Sequence, residues 1–257
     1  MVVVIMNVDN LNKDLDRIAV KYDPSTPQKD FDYWLLKFDF EILKRYLIGE
    51  TVIELGCGKG IITLELAKIV KNKLIVVDGS KENINYVKNI LKLKLKNNKK
   101  VELHHSLWQE FDYNGKVSDV VFFSGLEHLT EEDGIRVLLK IKKWLNYDSR
   151  LHIVVPNVKS MHRRIAWYGG IVTDIFEFSE RDMLLGHKTL YDKDKLFNLV
   201  KKAGYKIYAW EGIFLKPFPN DIMNKLNLNE KELRGLFEIG KELPDYCAHI
   251  YVCCMLR

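Results

Sequence analysis

The chain has 257 residues, of which 47% are hydrophobic, so it can bury the core of one large domain. It contains no apolar run of about 18 residues, which excludes a membrane-spanning helix as a prediction. The four cysteines form no CxxC motif and no metal-ligand spacing with histidine. We therefore expect a soluble, cytoplasmic protein with reduced thiols. The sequence identifies no metal ligands and leaves a metal requirement open.

The net charge is +5, and the densest basic run is Lys92–Lys100. Such a run can contact nucleic acid or an anionic lipid surface. However, no aromatic residues alternate with these lysines, and cations are favoured at the C-terminal end of a helix. We interpret the run as a solvated helix end and expect neither nucleic acid nor a membrane as partner.

Apolar segments alternate with helical patterns along the chain, which predicts a doubly wound α/β fold in one domain, residues 1–257. An N-terminal helical cap, about 1–48, contains the aromatic segment Asp30–Phe40. Strands are predicted at Thr51–Leu55, Leu74–Val77, Val101–His104, Val120–Phe123 and Leu151–Val155. The helices between them are predicted at Gly60–Lys71, after the N-cap residue Ser80 and after the N-cap residue Thr130.

The second half of the chain begins with a long connection, about 157–190. A connection of this length typically covers a functional site, so we interpret it as a substrate-covering insertion. A helix is predicted at Asp192–Ala203, and strands at Tyr205–Glu211 and His249–Met255. Further helices are predicted between Pro219 and Gly240.

The segment VIELGCGKG joins the first predicted strand to the next helix. Glycines alternate at Gly56, Gly58 and Gly60, so a ligand can approach the main chain at a helix N-terminus. The segment does not match the dinucleotide fingerprint GxGxxG, because Ile61 stands at the position of the third glycine. The acid Glu54 would repel a pyrophosphate and would suit an ammonium group. A plain turn between strand and helix is the alternative interpretation.

A second acid, Asp78, ends the second predicted strand in the sequence VVDGS. An acid at this place can accept hydrogen bonds from both hydroxyls of a ribose. Together with Glu54, it indicates an adenosyl group that carries an amino-acid tail.

The motifs ELGCGKG, VVDGS and SGLEHL resemble the class I S-adenosylmethionine-dependent methyltransferases over residues 50–156. A weaker resemblance, to the small-molecule and glycan-precursor branch, continues to the segment LLGHKTLYDKDKLFNLVKKAGY. The resemblance implies a seven-stranded, mostly parallel, Rossmann-like sheet with an antiparallel last strand. It also implies S-adenosylmethionine as cofactor and S-adenosylhomocysteine as product.

The candidate cofactor-binding residues lie in the glycine loop, after the second, third and fourth strands, and ahead of Asp23-Pro24. Many relatives carry an acid after the third strand for the adenine amine, whereas this chain has Ser106 and Leu107. The full set is Tyr22, Glu54, Gly56, Cys57, Gly58, Gly60, Asp78, Gly79, Ser80, Ser106, Leu107 and Ser124.

Methyl transfer is an in-line displacement, so the protein must align the acceptor and, for a poor nucleophile, remove a proton. His128 in SGLEHL is the candidate base, and His187 after Gly186 is a second base or an acceptor ligand. Alternatively, His128 only orders its loop. Donors for an anionic or sugar-like acceptor are His162, Arg163, Arg164, Tyr168, Arg181 and Lys216.

We expect O-methylation of a small or carrier-linked acceptor, such as a saccharide, phosphorylated or nucleotide-linked precursor of a surface glycan. The alternatives are N-methylation of an amino sugar or other small amine, an NAD-linked oxidoreductase, and a non-catalytic nucleoside-binding subunit. Methylation of nucleic-acid bases is disfavoured because the segment Phe123–Leu126 contains no proline and so lacks the Asn/Asp-Pro-Pro-aromatic signature.

Overall fold

The computed structural model describes residues 8–95 and 100–257. Residues 96–99, in the middle of the lysine run Lys92–Lys100, lie outside the described residues. The strands are β1 Thr51–Leu55, β2 Lys73–Asp78, β3 Val101–His105, β4 Val117–Phe123, β5 Leu145–Pro156, β6 Tyr205–Ile213 and β7 His249–Leu256. The helices are α1 Val8–Lys21, α2 Asp32–Tyr46, α3 Ile61–Ile69, α4 Lys81–Lys94, α5 Glu131–Ile141, α6 Met161–Tyr168, α7 Glu180–Leu185, α8 Lys193–Lys202, α9 Asn220–Lys225 and α10 Glu230–Glu242.

All seven strands form one sheet in the order β3-β2-β1-β4-β5-β7-β6. The pairs among β1 to β5 are parallel, whereas β7 is antiparallel to both of its neighbours. One core lies between the sheet and α2, α3, α4 and α10, and a second lies between the sheet and α5 and α8. The predicted doubly wound, seven-stranded α/β fold with an antiparallel last strand is therefore confirmed.

Strand β4 begins at Val117, ahead of the predicted start at Val120. The prediction began too late because the polar residue Asp119 interrupts the apolar pattern. This carboxylate is fully buried and accepts hydrogen bonds from the backbone N–H groups of Ile48 and Gly49 at 3.0 and 2.8 Å. It also lies 2.9 Å from Nε2 of the buried His152 on β5. A paired acid is tolerated inside a strand, since its hydrogen bonds offset the loss of water.

The predicted helix starts follow from their capping residues. Ser80 caps α4 by accepting a hydrogen bond from the backbone of Asn83, and Thr130 caps α5 by accepting one from Asp133. The predicted insertion, about 157–190, contains the two short helices α6 and α7. Within the described residues, no helix is both long and apolar enough to cross a membrane.

The parallel topology places the carboxyl ends of β1, β2, β4 and β5 at one edge of the sheet. In such sheets, ligands bind in the crevice outside these strand ends, where the strand order reverses. Here the order reverses between β1 and β4, because β2 lies on one side of β1 and β4 lies on the other. Most of the predicted site residues lie at the ends of β1, β2 and β4 or in the loops that follow them.

Candidate active site

A cavity of about 270 Å³ opens at this edge of the sheet. Strand ends form its floor, and α1, the start of α2 and the insertion line its other sides. Ten of the predicted site residues line it: Tyr22, Glu54, Gly56, Cys57, Gly58, Asp78, Ser80, Ser124, His128 and His187. The other four, Gly60, Gly79, Ser106 and Leu107, lie outside the lining.

Glu54 lies in the floor of the cavity, where its residue is only 2% exposed. Neither carboxylate oxygen has a hydrogen-bond partner among residues 8–95 and 100–257. Burial raises the pKa of this carboxyl to about 8. An acid held in this way is costly until a donor or a cation reaches it, so the position suits a ligand with an ammonium group.

The glycines of the loop have different roles. All three have a positive φ, a conformation that disfavours residues with a side chain. At Gly58, no atom of the described chain, other than those of Gly58 and its two neighbours in sequence, lies within 4 Å of the position that a Cβ would take. At Gly60, a Cβ would lie 2.8 and 2.9 Å from the side chains of Ile90 and Val87 on α4. Gly58 therefore leaves space at the cavity, whereas Gly60 permits α3 and α4 to pack.

Asp78 ties the glycine loop to the end of β2. Its Oδ2 atom accepts hydrogen bonds from the backbone N–H groups of Cys57 and Gly58 at 2.9 and 3.3 Å, and its Oδ1 atom accepts one from Ser80 at 2.8 Å. Burial raises the pKa of this carboxyl. The carboxylate faces the cavity and also shapes the loop.

The residues predicted to face adenine lie beside Asp78. The backbone N–H of Ser106 donates to the Asp78 carbonyl oxygen at 3.1 Å. A Cβ at Gly79 would lie 2.6 Å from Leu15 and 3.0 Å from Leu107, so this turn is closely packed between α1 and the loop after β3. Leu107 therefore packs against this turn and lies outside the lining of the cavity.

Helix α1 lies within the segment that the sequence analysis interprets as an N-terminal helical cap, about 1–48, although none of its residues was a candidate site residue. Leu15, Ile18 and Ala19 line the cavity from this helix. Asp16 accepts a hydrogen bond from the Ser80 hydroxyl at 2.6 Å. An amphipathic period alone does not show which surface a helix will cover, so the contact between Asp16 and Ser80 could not be predicted from the sequence.

Tyr22 and Arg181 join the N-terminal cap to the insertion. The hydroxyl of Tyr22 donates to Asp32 at 3.0 Å. One nitrogen of Arg181 lies 2.8 Å from oxygens of both Asp30 and Asp32. The two segments are thereby connected by residues that line the cavity.

Glu127, His128 and His187 also line the cavity, and their potential ligand atoms all lie within 4.8 Å of one another. The two imidazole rings meet edge to face, with centroids 5.0 Å apart. Burial raises the pKa of Glu127 to about 7. Burial, followed by the charge of His187, lowers the pKa of His128 to about 3. His128 is therefore neutral near pH 7.

Contacts between two distant segments hold this cluster together. The Glu127 carbonyl oxygen accepts hydrogen bonds from the backbone N–H groups of Lys188 and Thr189 at 2.7 and 3.1 Å. Nδ1 of His187 lies 2.9 Å from the Asp182 carboxylate, which also pairs with Arg163 at 3.0 Å. Sequence reasoning did not assign roles to Glu127 and Asp182, although Glu127 stands beside the predicted His128.

Only some of the side chains that were predicted to donate hydrogen bonds to the methyl acceptor lie at the cavity. His162, Arg163, Arg181 and Lys216 line the cavity, whereas Arg164 and Tyr168 do not. Lys216 is only 7% exposed, and its ammonium group donates to Asn220 at 2.6 Å. Burial lowers the pKa of Lys216 to about 8. Because Arg163 and Arg181 are paired with acids, the part of the cavity around these side chains is polar and close to charge balance.

Residues 52–148 match the family model described as a methyltransferase domain. The match covers fewer than half of the 257 residues and includes the glycine loop, Asp78 and His128. This region is similar to methyltransferase domains, and the enzyme class that the match indicates is a transferase. A search of curated proteins finds no match.

Three solved structures illustrate the similarity of fold. The magnesium protoporphyrin IX methyltransferase from Synechocystis PCC 6803, solved with bound SAM, has a TM-score of 0.61 at 11% identity and full coverage of both chains. A SAM-dependent methyltransferase from Aquifex aeolicus has a TM-score of 0.58 at 19% identity, with 92% of this chain and 100% of that one covered.

The third structure is the mitomycin 7-O-methyltransferase, with a TM-score of 0.55 at 11% identity over 86% of this chain. This chain spans about half of its length, 54%. At such identities, the three structures establish a shared fold.

Proposed function

We propose that this protein is an S-adenosylmethionine-dependent methyltransferase that methylates a hydroxyl group of a small, polar acceptor. The observation that carries the proposal is the buried carboxyl of Glu54, which faces the cavity beside the open backbone of Gly58. The methyltransferase-domain match and the SAM bound in the Synechocystis enzyme of the same fold support this cofactor.

S-adenosylmethionine carries its reactive methyl group on a sulfonium, so the donor is already activated. Glu54 binds the ammonium of the amino-acid tail, and its carboxylate becomes charged and paired when it does so. Asp78 accepts the ribose hydroxyls while it retains its bonds to the loop N–H groups. Leu15, Ile18 and Tyr22 exclude water from the adenosyl group.

The acceptor enters at the end that contains Glu127, His128 and His187. A hydroxyl is a poor nucleophile, and its proton must leave when its oxygen attacks the methyl carbon. The imidazoles predicted from the sequence lie here and are available to interact with that hydroxyl. Asp32, Arg181 and Lys216 provide further polar contacts.

The acceptor class follows from the charge of these surroundings. Hydroxyl-rich molecules, such as saccharides and carrier-linked or nucleotide-linked glycan precursors, match a cavity end with both donors and acceptors. A phosphorylated acceptor would rely mainly on Lys216, because both cavity arginines are paired with acids. We place the reaction in the cytoplasm, which agrees with four buried cysteines that are free thiols in the described structure.

A thermal-shift comparison tests the cofactor. S-adenosylhomocysteine at about 100 times its Kd should stabilise the protein by about 2.7 kcal/mol, whereas NAD should have little effect. Equal or greater stabilisation by NAD would favour the oxidoreductase alternative. Transfer of a labelled methyl group to a panel of saccharides and nucleotide sugars then tests turnover. Tight binding without transfer to any acceptor would favour a nucleoside-binding subunit.

A further inference from the structure

We infer that Glu127, His128 and His187 form a binding site for one divalent transition-metal ion. Their ligand atoms lie within 4.8 Å of one another, a separation that a single ion can bridge. Two imidazole nitrogens and one carboxylate oxygen form the donor set of many catalytic zinc and iron sites. In such sites, three protein ligands leave positions open for water or substrate.

The burial of Glu127 favours the binding of a cation over a simple polar contact. The residue is 2% exposed and lines the cavity. Its Oε2 atom is buried and makes no hydrogen bond within the described parts of the chain. A buried carboxylate oxygen without a partner is costly, and coordination of an ion would remove this cost.

His187 is already oriented as a metal ligand. Its Nδ1 atom lies 2.9 Å from Oδ1 of Asp182, so Nε2 is the nitrogen that remains for coordination. Metal-binding histidines generally donate their second N–H to a carboxylate or a carbonyl in this way. Asp182 itself is held by the Ser179 backbone N–H at 2.8 Å and by Arg163 at 3.0 Å.

The main chain fixes the distance between the two segments that supply the ligands. Lys188 and Thr189 donate their backbone N–H groups to the Glu127 carbonyl oxygen, and the Thr189 hydroxyl donates to Leu129 at 2.8 Å. The loop after β4 and the loop after α7 are therefore locked together. A site held in this way is formed before any ion enters.

The role of the ion rests on the proposed function, although its binding does not. Glu54, Asp78 and the three ligands line the same cavity, so an ion here lies on the acceptor side of the methyl donor site. Binding of an acceptor hydroxyl at an open position lowers its pKa. The hydroxyl proton passes to solvent, the oxygen forms a bond to the methyl carbon, and the carbon–sulfur bond breaks with its electron pair left on sulfur.

Metal binding is tested without any methyl donor. Protein treated with EDTA and dialysed is titrated with Co²⁺, and its visible absorption is recorded; Zn²⁺ binding is measured by equilibrium dialysis with elemental analysis. We expect one ion per chain. Glu127→Gln and His187→Asn should each weaken binding by about 100-fold or more, while His104→Ala, which alters a histidine outside the cavity, should bind as the wild type does.

Absence of saturable Co²⁺ and Zn²⁺ binding by folded wild-type protein would overturn the site and leave a metal-free cluster. Equal binding by wild type, Glu127→Gln and His187→Asn would also overturn it, because the ion would then lie elsewhere. Circular dichroism of each variant confirms that it folds. S-adenosylhomocysteine affinity, measured on the same samples, reports on the proposed function separately.

Discussion

Asp182 and His187 form a hydrogen-bonded pair at the end of α7, with Oδ1 of the carboxylate 2.9 Å from Nδ1 of the imidazole. The pair orients the only residue of the Glu127–His128–His187 cluster that comes from the insertion. It therefore links the segment that covers the cavity to the end where an acceptor would react.

Asp182→Asn should reduce Co²⁺ affinity by about 10- to 100-fold, because the amide orients and polarises His187 less well than the carboxylate. S-adenosylhomocysteine affinity should be unchanged, since Asp182 is hydrogen-bonded within the insertion, to Arg163, Ser179 and His187. Calorimetric titration measures both. The matched control is Asp221→Asn, an exposed acid on α9. A parallel loss of both affinities in Asp182→Asn would instead indicate a general disruption of the insertion.

Glu54→Gln should raise the Kd of S-adenosylhomocysteine by about 10- to 100-fold, because a buried charge-assisted hydrogen bond to the ammonium is lost. Glu50→Gln, at an exposed position just before β1, serves as the control and should bind normally. Isothermal titration calorimetry measures the difference. Unchanged affinity in Glu54→Gln would remove this residue from the cofactor site.

The raised pKa of Glu54 predicts proton release on binding. At pH 7, a carboxyl with a pKa of about 8 is mostly protonated in the free protein, and an ammonium beside it lowers that pKa. Binding of S-adenosylhomocysteine should therefore release most of one proton and strengthen as the pH rises towards 8. Titrations at pH 7 in buffers of different ionisation enthalpy measure the release, which Glu54→Gln should abolish.

The same group should make the stability of the free protein depend on pH. The pKa of Glu54 rises from 4.5 to about 8 on burial, so between these values the native state holds a proton that the unfolded state has lost. Its contribution to stability is complete below about pH 4.5 and is lost as the pH rises to about 8, at no more than about 1.4 kcal/mol per pH unit.

Urea denaturation at several pH values compares the wild type with Glu54→Gln. The free energy of unfolding of the variant should fall less steeply between pH 5 and 8. Parallel curves for the two proteins would mean that Glu54 is ionised in the free protein.

Alanine at two loop glycines should produce different effects. Gly58→Ala adds a methyl group in open space beside the cavity, so cofactor affinity should fall while stability drops by only about 1–2 kcal/mol from the positive φ. Gly60→Ala places a methyl group against Val87 and Ile90, so stability should fall further. Thermal unfolding and ligand titration of both variants check this. A larger loss of stability in Gly58→Ala would contradict the assignment.

The sequence predicted the elements of the sheet well because their signals are local. Thr51–Leu55 is an apolar run bounded by turn residues, and Ser80 and Thr130 mark helix starts through contacts only three residues long. Strand β4 was harder to delimit, because the buried Asp119 is stabilised by His152, which lies on a different strand.

The sequence by itself determined the α/β order, the glycine loop and the two acids at the ends of β1 and β2. Hydrophobic period, capping and the need for glycine at positive φ act between neighbours in the chain, so each can be recognised from a few residues. Only the tertiary structure decided that Gly60 serves the packing of α4, which residues of α1 line the cavity, and that His187 meets Glu127 and His128. These contacts depend on the path of long connections, and the free energy that determines such a path is spread over the whole core.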